Sequence, residues 1–394
     1  MVDEIIVKSE IDRTTGLFVG QEEIWHRLVA VFRNNRVAGA YLFHGPPGTG
    51  KEGFAIRFAS LLNCLNPKDD SCGVCSSCLK FKKLQHPNLT LVVPLPKDRD
   101  VRKGDPPVKA LSDRTLQYLQ ELITQKSKDV YFKINLPRAN TILLNSIRHL
   151  REKVYLKAME TGRKMILVFD AHKLMTQQGE SGNALLKILE EPPGNTTFIL
   201  ITEYPERLAG TILSRCQSVY FPPVPEEELV YFLKNNMAIE KTEALLLAHL
   251  SQGNVRMAKN LAVEKMEDLV VMVTSLVEWV TSSSESGWRN FLHHGITMYR
   301  GDPQEFFFHL QLLSYWFRDA MYVKKANGQA KLILGKVEKE IRDFSQRYPS
   351  ADYPGIVSAI ETCTDSFSRN YNITLVLMNL LLDIQENLQG GVES

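Results

Sequence analysis

The sequence predicts an α/β domain of the P-loop class followed by all-helical domains, and three features carry this prediction. An apolar run from Ala40 to Phe43 leads into a glycine loop that begins at Gly45. Two further apolar runs with β character, 164–170 and 197–202, alternate with helical patterns. From about residue 266 onward every apolar segment has helical spacing, which predicts an all-helical region.

Composition limits the classes to which the chain can belong. With 394 residues it should hold two or three domains, and its net charge of +2 gives no global field that would attract nucleic acid. No apolar run is long enough to cross a bilayer, and the N-terminus lacks a basic region followed by an apolar core. We therefore expect a cytoplasmic protein with no membrane partner, whose six cysteines do not form disulfides.

The first elements of the chain form a strand–loop–helix unit. A helix that ends near Asn34 comes first, with an apolar face of Ile24, Leu28, Val29 and Phe32. After the strand and the glycine loop, apolar residues again recur at helical spacing, at Phe54, Ala55, Phe58, Leu61 and Leu62. A phosphate-binding loop requires this context.

The glycine loop fits the pattern G-x-x-x-x-G-K-[ST] at every position but the last. In such a loop backbone N–H groups turn toward phosphate oxygens, and the lysine reaches the outer phosphates. The final hydroxyl normally ligates Mg²⁺, and a carboxylate replaces it here. The predicted nucleotide-binding residues, in a loop poorly equipped to use nucleotide, are Gly45, Pro46, Pro47, Gly48, Thr49, Gly50, Lys51 and Glu52.

Four cysteines follow the P-loop helix within fifteen residues, at Cys64, Cys72, Cys75 and Cys78. Four thiolates supply a closed tetrahedral shell for Zn²⁺. An Fe–S cluster also takes four cysteines, but nothing else in the sequence indicates redox work. We expect a structural zinc ion that stabilises an insertion with little core of its own.

Residues 94 to about 138 are polar and interrupted by prolines. This composition predicts a mobile loop, with a helix from Leu111 to Ile123 inside it. Its basic side chains could contact a nucleic-acid backbone, but a solvated surface excursion is favoured. The sequence assigns the segment no role.

Two strand ends supply further candidate site residues. Asp170 ends a buried strand, where P-loop NTPases hold the carboxylate that orients Mg²⁺. The next residue, Ala171, cannot polarise an attacking water. Thr202 ends another strand, and it either senses a phosphate or simply closes that strand.

The prolines at 222, 223 and 225 mark the clearest domain boundary. We predict an α/β domain at 1–222, with a cysteine module at about 64–85 and an extended insertion at about 94–138. A small helical domain at 223–265 and a larger helical domain at 266–394 follow.

These motifs, in this order, resemble the AAA+ subunits of bacterial DNA polymerase III clamp loaders. The residues that carry the resemblance are Phe18-Val-Gly-Gln21, the P-loop, the four cysteines, His86-Pro87, Asn183 to Pro193, and Ser214-Arg215-Cys216. The resemblance covers most of the first 265 residues. It implies an α/β AAA+ P-loop domain with a zinc-binding insertion, a small helical lid domain and a C-terminal all-α collar domain for ring assembly.

The resemblance also implies roles within the family. Motor subunits, gamma/tau, should keep the P-loop hydroxyl and an acidic residue after Asp170, and this chain has Glu52 and Ala171 there. The family arginine that enters the ATP site of the next subunit is retained as Arg215, and Arg256 matches the sensor arginine. This pattern is similar to that of the catalytically silent delta prime type.

A subunit of that type would complete a ring of five with gamma/tau and delta subunits and help load the sliding clamp onto primer-template DNA. Its own ATP and Mg²⁺ binding is expected to be weak or absent, without intrinsic ATPase activity. Two alternatives stay open: a motor ATPase in which Glu52 ligates Mg²⁺, and a zinc-dependent DNA-binding adaptor.

Overall fold

The computed structural model describes residues 18–156, 160–175, 179–263, 266–325, 332–367 and 371–390. The chain divides into two compact units, one that ends at Ala262 and one that begins at Val263. Each unit is described by itself. The predicted division of the first unit near residue 222 stays a prediction.

A five-stranded parallel sheet lies at the centre of the first unit. Its strands are β1 (Ala40–His44), β2 (Leu89–Val92), β3 (Lys164–Val168), β4 (Thr196–Thr202) and β5 (Gln217–Tyr220), in the spatial order β2-β3-β4-β1-β5. His44 pairs with Thr202, and Val168 pairs with Leu200. Because all strands are parallel, the residues that follow β1, β3 and β4 meet at one edge of the sheet.

Ten α-helices belong to the described part of the first unit. They are α1 (Glu22–Arg33), α2 (Lys51–Leu62), α3 (Ser76–Lys82), α4 (Asp113–Lys128), α5 (Leu144–Tyr155), α6 (Glu180–Glu190), α7 (Gly210–Leu213), α8 (Glu226–Met237), α9 (Lys241–Ser251) and α10 (Val255–Val263). The predicted first helix, P-loop helix and three apolar strands are confirmed, with ends that differ by one or two residues.

Alternating side chains along β1 show how the layers form. Tyr41 and Phe43 face a core that α1, α2 and α4 share, whereas Ala40 and Leu42 face a core with α5 and α6. A strand buried on both faces is apolar at successive positions. This explains why these strands read as continuous apolar runs in the sequence.

The segment 94–138 is not the mobile, solvated loop that its prolines predicted. Helix α4 has Ser112 as its N-cap, whose Oγ accepts a hydrogen bond from Thr115 N at 3.2 Å. Side chains before, within and after α4 enter the same core as α2, among them Leu95, Leu111, Leu119, Leu122, Ile134 and Leu136. The prediction was wrong because a few widely spaced apolar residues anchor a segment whose average composition is polar.

The second unit is a helical bundle, as the spacing predicted. Its helices are α11 (Met266–Thr281), α12 (Glu285–Gly301), α13 (Pro303–Lys325), α14 (Glu338–Arg347), α15 (Tyr353–Ser366) and α16 (Ile373–Leu388). Phe317, Leu381 and Ile384 are fully buried in it. None of the helices within the described ranges has the length and apolar character needed to span a bilayer.

Candidate nucleotide cleft, metal centre and surface arginine

The P-loop lies between β1 and α2, and its lysine folds back on it. Gly48 has a φ of 68°, a conformation that favours glycine. The Lys51 ammonium donates hydrogen bonds to Gly45 O at 2.8 Å, to Pro46 O and to Thr49 Oγ1 at 3.3 Å. An ammonium group has three donors, so the loop itself satisfies all of them.

Glu52, the residue in place of the P-loop hydroxyl, is held by a buried lysine from α4. Lys126 Nζ lies 2.5 Å from Glu52 Oε2, and the Lys126 side chain is 1% exposed. The same ammonium donates to Val130 O at 2.8 Å and to Phe132 O at 2.6 Å. Burial lowers the pKa of Lys126, while the Glu52 carboxylate opposes that shift. The carboxylate is therefore engaged within the chain.

A second lysine from the same segment pairs with the carboxylates at the strand ends. Lys133 Nζ lies 3.3 Å from Asp170 Oδ1 and 3.1 Å from Glu203 Oε1. Burial opposes ionisation of Asp170, but the charges of Lys133 and Lys173 outweigh it and hold the pKa of that carboxyl below its ordinary value. Burial likewise opposes ionisation of Glu203, and Lys133 and Lys51 lower its pKa.

The hydroxyl of Thr202 is occupied by its own loop. Thr202 Oγ1 lies 3.0 Å from His172 Nδ1 and accepts a hydrogen bond from Tyr204 N at 3.0 Å. Burial lowers the pKa of His172 to about 4, so the ring is neutral at pH 7. The Thr202 side chain lines the cleft, as a phosphate-sensing residue would. Its hydrogen bonds with His172 and Tyr204 are equally consistent with the other prediction, a residue that only ends the strand.

Helix α10 places Arg256 at the cleft. Val255 N donates to Gly48 O at 3.1 Å, so the first turn of α10 rests directly on the P-loop. Arg256 lines the same cleft as Lys51, Asp170 and Thr202. The structure therefore brings together the predicted residues from the P-loop, the strand ends and the second helical segment.

The cleft does not fit a nucleotide in this arrangement. Its volume is about 40 Å³, whereas small-molecule sites in proteins usually have about 300–1,000 Å³. Lys126, Val130, Tyr131 and Lys133 line it together with the P-loop residues. Lys51, Glu52 and Asp170, which would contact phosphate and Mg²⁺, are paired with groups of this chain. We therefore derive no catalytic step at this cleft.

The four clustered cysteines do fit a metal ion. The Sγ atoms of Cys64, Cys72, Cys75 and Cys78 all lie within 4.8 Å of one another, close to the roughly 3.8 Å separation expected for four thiolates around Zn²⁺. Burial opposes ionisation of Cys75, yet N–H groups of Cys78 and Leu65 and neighbouring thiols lower its pKa to about 6. The set is chemically suited to hold a structural zinc ion.

Buried polar contacts connect the cysteine module to the end of α2 and to the residues before β2. Ser77 Oγ donates to Asn63 O at 2.7 Å and lies 3.1 Å from His86 Nε2. The His86 ring stacks on Phe81 with centroids 4.4 Å apart, and its Nδ1 accepts a hydrogen bond from Asn88 N at 3.0 Å. The histidine of the His86-Pro87 motif therefore connects the module to the start of β2.

Arg215 lies at the other end of the sheet from the P-loop. It precedes β5, whose first residue, Gln217, pairs with Tyr41, whereas the P-loop follows His44. Tyr41 and His44 are about 10 Å apart along β1. The Arg215 side chain is 34% exposed and its Nη2 lies 2.9 Å from Glu190 Oε1. The guanidinium thus does not face the cleft of its own chain.

Sequence reasoning missed the lysines and one acid of the cleft. Lys126 and Lys133 lie in the segment whose composition predicts a solvated loop. Glu203 directly follows Thr202, the one site residue that the sequence predicts at that strand end. A signal for Lys126 did exist, because it falls on the apolar face of α4 with Leu119 and Leu122, at spacings of three and four. A lysine at such a position requires an acceptor or an acid inside the protein.

A parallel sheet with a P-loop after β1, helices on both faces and a helical second unit defines a P-loop protein of the AAA+ class. The family model described as DNA polymerase III, delta subunit, matches residues 20–225, about half of the chain. The chain belongs to this family of clamp-loader proteins.

Individual relatives agree with this assignment. The chain is 29% identical to the DNA polymerase III delta' subunit of Escherichia coli over 231 residues, which are 58% of this chain and 56% of that protein. It is 23% identical to delta' of Bacillus subtilis over 93% of this chain and 96% of that protein. It is 30% identical to the gamma/tau subunit of Mycoplasma genitalium over 60% of this chain and 33% of that protein. The chain thus spans a third to just over half of two of these relatives.

Proposed function

We propose that this chain is a catalytically silent clamp-loader subunit of the delta prime type. It completes a hetero-pentameric ring with gamma/tau and delta subunits, lends Arg215 to the ATP site of a neighbour, and helps load the sliding clamp onto primer-template DNA. One contrast supports this proposal most. Glu52 of its own P-loop is held by buried Lys126, while Arg215 is accessible at the opposite end of the sheet.

An arginine supplied from outside can act where charge builds on a transferred phosphoryl group. Such residues contribute about 10³–10⁵ in rate in well-studied NTPases. Arg215 is tied to Glu190 by a partly exposed ion pair, and pairs of this kind contribute at most about 1 kcal/mol. Its Nη1 also donates a hydrogen bond to Thr211 O at 2.8 Å. Exchange of Glu190 for a phosphate of a neighbouring subunit at Nη2 therefore costs little.

The motor-ATPase alternative conflicts with two features of the cleft. Ala171 is buried and offers no group that could polarise a water. Glu52 would have to leave Lys126 to ligate Mg²⁺, and this would leave an ammonium with 1% exposure without its counter-charge.

The proposal is tested in a complex reconstituted with gamma/tau and delta subunits. We expect Arg215→Ala to leave ring assembly intact by gel filtration and to lower the DNA- and clamp-stimulated ATPase at least twofold. Arg207→Ala is the matched control, since Arg207 is an exposed arginine of the same region that packs on Tyr204. Unchanged ATPase in an intact Arg215→Ala complex would refute the trans role.

Two other results would favour the alternatives. ATP turnover by the isolated chain that is lost in Lys51→Ala would identify a motor subunit. Salt-dependent DNA affinity of the isolated chain, without assembly with gamma/tau, would identify a DNA-binding adaptor.

A further inference from the structure

Two lysines of the insertion, Lys126 and Lys133, line the P-loop cleft, and the proposed role in the ring does not explain them. In the described part of the chain, four cationic side chains line the cleft: Lys51, Lys126, Lys133 and Arg256. Three anionic side chains line it as well: Glu52, Asp170 and Glu203. Charges are thus nearly balanced before any ligand enters.

Lys126 is built into the site with all its donors used. Its ammonium contacts one carboxylate oxygen and two carbonyl oxygens, those of Glu52, Val130 and Phe132. A buried ammonium with three acceptors at 2.5–2.8 Å is fully satisfied. The residue therefore holds the carboxylate that replaces the Mg²⁺-binding hydroxyl.

Lys133 occupies the position of a cation at the strand ends. It bridges Asp170 and Glu203, which follow the neighbouring strands β3 and β4. P-loop NTPases hold the carboxylate that orients Mg²⁺ at the end of a buried strand, which is the position of Asp170 after β3. Burial opposes the charged form of Lys133, but Glu203 and Asp170 outweigh it and raise the pKa of the lysine, so it stays protonated at neutral pH.

The residues between the two lysines fix the segment to elements on both sides of the cleft. Tyr131 Oη accepts a hydrogen bond from Val19 N at 2.8 Å in a buried position. Asp129 Oδ2 lies 2.5 Å from Lys259 Nζ, on helix α10. The segment is therefore joined to the chain before α1 and to the helix that carries Arg256.

We propose that residues 126–133 are a built-in ligand of the P-loop cleft, in which the ammonium groups of Lys126 and Lys133 take the places of the divalent cation. A nucleotide with its Mg²⁺ would have to displace both ammonium groups from their carboxylates and move the Tyr131 ring. The loss of nucleotide binding then comes from the insertion as much as from the altered P-loop. This inference stands apart from the ring role, because its test uses the isolated chain with Arg215 unchanged.

The test is to open the cleft by removing both lysines of the insertion. Glu52→Ser combined with Lys126→Met removes one ion pair as a pair and restores the P-loop hydroxyl. Lys133→Ala in addition removes the cation that bridges Asp170 and Glu203, while Lys173 stays 3.3 Å from Asp170. The matched control is Asp105→Ser with Lys109→Met, which removes an exposed ion pair of the same insertion. Binding of Mn²⁺ with ATP is measured by equilibrium dialysis, and folding by circular dichroism.

We expect the wild type and the control to bind Mn²⁺ and ATP at least tenfold more weakly than the opened variant. The proposal is overturned if the wild type binds as tightly as the opened variant, or if the opened variant folds and gains no binding.

If the opened variant does not fold, the accessibility of Lys126 in the wild type tests the proposal instead. Lysine acetylation followed by mass spectrometry should modify Lys126 at least tenfold more slowly than Lys109, whose side chain is 63% exposed. Saturating Mg²⁺ and ATP should leave that protection unchanged. Equal rates at the two lysines, or loss of protection with Mg²⁺ and ATP, would contradict a built-in ligand.

Discussion

The P-loop cleft and the cysteine module are both sites that a short motif predicted, and they differ in whether charged side chains of the same chain pair with their donor atoms. In the module, four sulfur atoms converge on a space that fits a metal ion. In the cleft, Lys51 bonds to its own loop, and Glu52 and Asp170 face lysines of the insertion.

A motif specifies which donor atoms a site contains, while the rest of the fold determines whether those atoms remain accessible to a ligand. A thiolate cluster without a metal ion would leave several like charges close together, which is unfavourable. A carboxylate cluster can instead be neutralised by lysines of the same chain.

Removing one cysteine should abolish the metal site. We expect Cys75→Ser to reduce zinc from about one ion per chain to near zero and to destabilise the first unit by more than about 5 kcal/mol, because metal binding contributes directly to folding. Metal analysis and urea unfolding measure these effects. Cys216→Ser is the control, since Cys216 lies outside the cluster; the same zinc content in both variants would contradict the site.

Removing Lys126 should destabilise the first unit by leaving a largely buried carboxylate unpaired. Lys126→Ala leaves the Glu52 carboxylate without its counter-charge, and we expect a loss of about 3–5 kcal/mol in the free energy of unfolding. Lys109→Ala, at an exposed ion pair, should cost less than about 1 kcal/mol. Equal effects in urea unfolding would mean that the Glu52–Lys126 pair is not buried in solution.

The pH dependence of the free energy of unfolding should reveal the burial of Lys51. Burial lowers its pKa from 10.5 to about 8, with Glu203 opposing the shift. Between these two pH values the unfolded chain binds more protons, so the contribution of Lys51 to stability should rise with pH, by about 2 kcal/mol from pH 8 to 10.

Comparison of the wild type with Lys51→Met isolates this contribution, because other groups that titrate in the range are present in both. The wild type should gain stability relative to the variant as the pH rises from 8 to 10. A constant difference between the two profiles would show that Lys51 is exposed to solvent.

The smallest effect concerns the attachment of the insertion. Tyr131→Phe removes the acceptor for Val19 N, and a lost buried hydrogen bond should reduce the free energy of unfolding by about 1 kcal/mol. Tyr118→Phe, on the exposed part of α4, should have no measurable effect. If both variants were equally stable in urea, the contact between Tyr131 and Val19 would not form in solution.

The sequence predicts the fold correctly where apolar residues form a continuous run or recur at helical spacing over a whole element. Strands β1, β3 and β4 are buried on both faces and read as apolar runs, while α2 and α13 show helical spacing over several turns. The segment 94–138 could not be predicted in this way. Its contribution to the core comes from Leu119, Leu122 and a few other apolar residues, separated by polar residues that dominate any window average.

The candidate site could be predicted as a set of residues but not as a set of contacts. The sequence placed Lys51, Asp170, Thr202 and Arg256 at one cleft, and they line it. The lysines that pair with the acids come from a distant part of the chain, so no local pattern connects Lys133 with Asp170. The buried position of Lys126 on an apolar helix face was the available signal, and it required knowledge of where α4 packs.

Titration of the isolated wild-type chain with Mg²⁺ and ATP in a calorimeter measures whether the P-loop cleft is closed to nucleotide. A cleft filled by its own lysines predicts no saturable heat of binding up to millimolar nucleotide. Stoichiometric binding with a micromolar Kd would contradict the claim.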